Sequence, residues 1–130
     1  MSPSADHARA LLTKAADDAY VAGLLAQDSE GPAWVLGFHA EQAVEKALKA
    51  VLSSREVVYP RTHNLVTLLE LLRTNALDPP PDGDSLARLI PFGVAMRYED
   101  AVSDDELTID AEWTLAAVSR TLEWARGLVG

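Results

Sequence analysis

The chain of 130 residues contains no cysteine. That absence removes disulfides, thiolate-bound zinc and a cysteine nucleophile. Cations are scarce too: eleven Lys and Arg stand against twenty Asp and Glu, for a formal net charge of -9. A field of that sign repels phosphate backbones and argues against broad nucleic-acid binding. It suits plain solubility, or a basic protein partner. No stretch approaches the ~20 apolar residues of a membrane helix. Met1-Ser2-Pro3-Ser4 lacks an apolar run of the signal-peptide kind, so a cytoplasmic protein without membrane association is expected. A glycine-rich phosphate loop, a G-x-S-x-G elbow and an H-E-x-x-H helix are all missing. Scattered His without Cys make a poor metal set, and neither a metal nor another cofactor is expected.

What the chain does have is helical periodicity, with no convincing alternation of the strand type. Ala8, Leu11, Leu12, Ala15, Ala19, Ala22 and Ala26 form one face of a first helix, ended by Asp28-Ser29-Glu30-Gly31-Pro32. A second helix runs from about Trp34 to Leu52, with Leu36, Ala40, Ala43, Val44, Ala47, Leu48 and Val51 on its apolar arc. Its alanines let a neighbour approach closely, so the first two helices are expected to form an antiparallel hairpin. After a connection from Ser53 to Arg61, Thr62 is placed to cap a third helix. That helix carries Leu65, Leu68, Leu69 and Leu72 on one side. The proline-rich run from Asp78 to Gly83 is a loop.

A fourth helix is expected from Asp84 to Tyr98, with Pro91 either kinking it or starting a second segment. Ser103-Asp104-Asp105-Glu106 reads as an acidic turn, and the last helix spans about Thr108 to Leu128. That helix has two apolar sides. One holds Ala111, Leu115, Val118, Leu122, Ala125 and Val129; the other holds Ile109, Trp113, Ala116, Ala117 and Trp124. Such a helix is buried on both sides. Either it lies centrally in the bundle, or its Trp113 and Trp124 side meets another chain. The expected fold is all-α: an up-and-down four-helix bundle with an additional short helix, in one domain over residues 1–130.

Polar residues on these helices supply the candidate site. At about 100° per residue, Phe38, Gln42, Glu45 and Lys49 share a narrow stripe of helix two, flanked by His39 and Lys46. Spacing alone favours a solvated face with an ordinary Glu45–Lys49 pair. The functional alternative is a polar groove wall in which Lys46 or Lys49 meets a phosphate or an acidic partner, and Phe38 points to packing against another element. His63 either fixes the entry into helix three or serves as a base, since imidazole titrates near neutrality. Glu41 and Glu45 lie one turn apart, but nothing nearby completes a metal site. Arg97 at the end of helix four complements the helix dipole, or reaches a carboxylate such as Glu45, or a phosphate. Tyr98 combines a ring to pack with a hydroxyl to partner.

Taken in order, Phe38-His39 through Gln42, Glu45-Lys46 and Lys49, then Thr62-His63, then Arg97-Tyr98-Glu99-Asp100, the chain resembles a HEPN domain from about Ala8 to Val129. The resemblance implies a helical bundle, often homodimeric, of a family named for nucleotide binding. Many small prokaryotic HEPN proteins are paired with a minimal nucleotidyltransferase, and in such pairs the HEPN member can be an RNA-cutting toxin. That activity goes with an Arg followed a few residues later by a His. Arg97 matches the Arg, but Val102, Ser103 and Asp104 fill the window and no His follows Arg97 anywhere. The likeness is therefore to the non-nucleolytic Arg-Tyr branch. It implies an interaction module, nucleotide-associated rather than enzymatic, beside a nucleotidyltransferase partner. For a nucleotide, resemblance and chemistry together point to Arg97, Lys46, Lys49 and His63 as phosphate contacts and Tyr98 as a stacking surface, with Gln42 and Glu45 in the same stripe. The alternatives are an RNA-cleaving toxin with His63 as a displaced substitute, and a purely structural dimer joined through Trp113 and Trp124.

Overall fold

A computed structural model describes residues 2–97 and 108–130, and for residues 95–97 the helical backbone alone. The described residues form helices and no strand. In order these are α1 (Pro3–Ala26), α2 (Ala33–Ser54), α3 (Leu65–Thr74), a 3-10 helix (Gly83–Leu89), α4 (Ile90–Arg97) and α5 (Ala111–Val129). This is the all-α bundle expected from the periodicity. The acidic turn expected at Ser103–Glu106 lies outside the described residues.

Local chemistry sets the boundaries. Ser2 caps α1, its hydroxyl accepting from the Ala5 amide at 3.1 Å, with Pro3 occupying the first turn. The cap of α3 is Asn64 and not Thr62. The Asn64 side chain accepts from the Val66 amide at 2.9 Å, while the Thr62 hydroxyl accepts from the Asn64 amide at 3.0 Å. Thr62 thus shapes the approach and Asn64 makes the cap. Helix α5 begins at Ala111, later than Thr108, because Asp110 accepts from the Trp113 amide at 3.0 Å and fixes the first turn there. The segment from Gly83 is a 3-10 helix, and α4 starts at Ile90, so Pro91 sits in the opening turn of a second segment.

Helix α2 is the centre of the bundle: every other helix packs on it. All seven residues of its expected apolar arc are buried. Ala8, Ala15 and Ala22 of α1 are fully buried, as are Ala40, Ala43, Ala47 and Ala50 of α2. Small side chains on both helices let the two axes come close. Leu65, Leu68, Leu69 and Leu72 seal α3 onto the same core. The Ser53 hydroxyl donates to the Ser4 carbonyl at 3.2 Å, and the Arg55 guanidinium donates to the Leu128 carbonyl at 3.2 Å. The C-terminal end of α2 is thereby tied to both flanking helices.

The second apolar side of α5 is engaged within the chain. Trp113, Arg120 and Trp124 share one stripe and hold the segment between α3 and α4. The Arg88 guanidinium lies 4.0 Å from the Trp113 ring centre, Arg120 makes a bidentate pair with Asp82 at 2.9 and 3.0 Å, and Trp124 Nε1 donates to the Asp78 carbonyl at 3.2 Å. Both rings also pack on the core.

Helix α4 is seated by a glycine. A Cβ on Gly37 would lie 2.2–2.8 Å from atoms of the Phe92 ring. Gly37→Ala is therefore expected to push α4 off α2 and destabilise the fold by about 1–3 kcal/mol, the usual cost of overpacking. Denaturant unfolding measures it; an unchanged midpoint would remove this contact as the seat of α4.

Helices α2 and α3 both end on a left-handed non-glycine residue, Glu56 at φ 58° and Ala76 at φ 56°. The next amides close Schellman turns, Val57 to the Leu52 carbonyl and Leu77 to the Leu72 carbonyl, each at 2.9 Å. An alanine gains nothing there to offset its left-handed strain. Ala76→Gly is expected to stabilise the protein by about 0.5–1 kcal/mol, the strain relieved less the entropy that glycine adds to the unfolded chain. A lower melting temperature for this variant would contradict that.

Candidate functional site

The polar stripe of α2 is not the solvated face that its spacing favours. Glu45 is 3% exposed and Glu41 1%. The Glu45–Lys49 pair does form, with Lys49 Nζ donating to Oε2 at 3.0 Å, but it lies largely out of water: the Lys49 side chain is only 15% exposed. Burial is completed from beyond the helix. The turn leading into α3 brings His63 onto Glu45, with Nδ1 3.1 Å from Oε2 and 3.2 Å from Oε1. Tyr59, from the same connection, places its ring 5.8 Å from the Lys49 ammonium. Burial first, and then the Glu45 charge, raise the Tyr59 pKa above its usual value, so its hydroxyl stays protonated through the neutral range.

A second cluster repeats this chemistry at the α1–α2 seam. Asp18 of α1 accepts from Lys46 Nζ at 2.5 Å, and its other oxygen is 2.9 Å from His39 Nδ1. Phe38 stands edge-on to the His39 ring, with centroids 5.3 Å apart. Gln42 donates to Glu41 at 2.7 Å. The polar side of α2 thus meets two carboxylates, Glu45 on the helix itself and Asp18 from α1, each shared by an imidazole and an ammonium. Desolvated ion pairs of this kind hold only when hydrogen bonds complete them; here both carboxylates accept at both oxygens. Among the described residues no group of three or more His, Asp or Glu could hold a metal ion. No described helix is long and apolar enough to cross a membrane.

The family model of the HEPN domain matches residues 8–128. The chain is a HEPN-domain protein. Neither a curated protein nor a solved structure gives a significant match. In this HEPN protein the structure brings Gln42, Glu45, Lys46, Lys49 and His63 to one side of α2. Arg97 closes α4, but its side chain and all of Tyr98 lie outside the described residues, and with them the expected reach of Arg97 to Glu45. Trp113 and Trp124 sit apart from this stripe, on the α5 side that holds the 78–88 segment.

Two members escaped the sequence reading. Asp18 lies three residues after Ala15 and four before Ala22, on the buried face of α1, and a carboxylate on an alanine face was a visible signal of a buried partner. Tyr59 carried no such signal.

Removing one partner from a buried pair strands the other charge, whereas removing both does not. Glu45→Ala and Lys49→Ala are each expected to destabilise, and the double variant to lose less than their sum, with a coupling of about 1–3 kcal/mol. Additive losses in urea unfolding would show that the two groups do not act as a pair.

Proposed function

We propose that this HEPN protein is an interaction module that works as a homodimer beside a minimal nucleotidyltransferase, with nucleotide association at the polar side of α2. The observation that carries the reading is internal charge compensation: Asp18 matches Lys46 and Glu45 matches Lys49. A cluster that holds its own counter-charges is organised before a partner arrives, which lowers the ordering cost of docking. A nuclease would need a base placed at the reacting hydroxyl, and the family's Arg-to-His pair is incomplete here, with no His after Arg97. The net charge of -9 favours a protein or a single nucleotide over a long phosphate backbone. Membership of the HEPN family supports the dimer and the nucleotidyltransferase. On this reading a nucleotide meets Arg97 through phosphate and stacks on Tyr98, while Lys46 and Lys49 stay with Asp18 and Glu45 and hold the polar side of α2 in place.

The test is a thermal-shift panel of nucleotides on wild type and Arg97→Ala, beside co-purification with a co-expressed nucleotidyltransferase. A binding nucleotide at a hundredfold excess over its Kd stabilises by about 2.7 kcal/mol, and that shift is expected to vanish in the variant. No shift with any nucleotide removes the nucleotide from the reading, and failure to co-purify removes the partner.

A further inference from the structure

We infer that the outward face of α1, with the groove it forms against α5, is the contact between two copies of this chain paired about a two-fold axis. The inference rests on the homodimer proposed above and names its surface. At about 100° per residue, Arg9, Thr13, Ala16, Asp17, Tyr20 and Leu24 fall within about 100° of arc, nearly opposite the buried Ala8, Ala15 and Ala22. Tyr20 is 69% exposed and Leu24 49%, two large apolar side chains one turn apart on the open side of the helix. The same stripe continues into a groove of about 400 Å³ lined by Arg9, Leu12, Thr13, Ala16, Asp17 and Arg126. The Trp113 and Trp124 side of α5 does not compete for this role, because the 78–88 segment already covers it.

Charge selects a second copy as the occupant. At a net charge of -9 two copies repel each other, so a contact between them needs a place where the signs balance. The groove is such a place. Arg9 holds Asp6, and Asp17 and Arg126 add one charge of each sign. Both are exposed, and neither side chain has a hydrogen-bond or ion-pair partner among the described residues. A basic or an acidic partner would be met by a patch of one sign. A patch with one unmatched cation and one unmatched anion is its own complement, since a two-fold sets Arg126 of each copy against Asp17 of the other. Exposed ion pairs are worth little by themselves; they fix the register, and Tyr20 and Leu24 supply the apolar contact.

Sedimentation equilibrium of the full chain tests the surface. The wild type is expected to be a dimer. Tyr20→Glu is expected to raise the dimer Kd about thirtyfold or more, as loss of an interface tyrosine anchor does. Asp17→Arg and Arg126→Glu each set like charges across the two-fold, so each alone is expected to be monomeric. Mixed in equal amounts, these two variants give one copy only cations and the other only anions at both positions, and a heterodimer is expected. All three side chains are exposed, so the helical circular dichroism of every variant is expected to match the wild type.

A mixture that stays monomeric overturns the inference, because lost folding and not lost pairing would then explain the single variants. A dimer that persists in all three variants places the contact elsewhere; it overturns the inference and leaves the proposed homodimer standing. A monomeric wild type removes both. Loss of a co-expressed nucleotidyltransferase from Tyr20→Glu, with the dimer intact, assigns the face to that partner and overturns the inference as well.

Discussion

Alanine along the inward faces of α1 and α2 is the constraint on which the rest of this molecule depends. With no side chain beyond Cβ at Ala15, Ala22, Ala40, Ala43 and Ala47, the two backbones approach until short polar groups can bridge them. Asp18 is such a group, and it meets His39 and Lys46 only because α1 lies so near. The same closeness leaves α2 covered on one flank, so the remaining helices complete its burial from the others. A larger residue at any of these positions would act twice, once as overpacking and once by drawing a carboxylate away from its cations.

The polar stripe raises a different energetic question. Burying an ion pair is seldom favourable against an apolar pair of the same volume. Glu45 is retained among leucines and alanines with Lys49 and His63 gathered on it, an arrangement that specifies one geometry more than it adds stability. Its removal would leave the Lys49 ammonium in a poorly solvated place, and its contact with His63 ties the turn before α3 to α2. Thr62 and Asn64 hold the same turn through backbone amides. His63 is therefore held from two directions, by its neighbours in the chain and by a residue on another helix.

Apolar patterning made the helices legible, and the arc of α2 was readable residue by residue because burial follows the helical period. The stripe was readable as an alignment and unreadable as a site. Whether Glu45 is wet or dry depends on what the chain lays over it, and His63 and Tyr59 arrive through a connection with no period. Thr62 and Asn64 are both good caps, and one residue type could not be chosen over the other without the local backbone. The Trp side of α5 was seen as a second apolar face, but its cover, the proline-rich segment, has no pattern that announces where it docks. Asp18 was different: the sequence held the signal, a charge on a buried face.

The ties at the end of α2 have a topological consequence. Ser53 bonds to residue 4 and Arg55 to residue 128, so the first and last helices meet the same end of the same central helix. Residues 4 and 128 therefore lie beside one another's anchor at a single end of α2. Such a molecule is held by what touches α2, and the point at which its backbone is opened is a matter of connectivity more than of architecture.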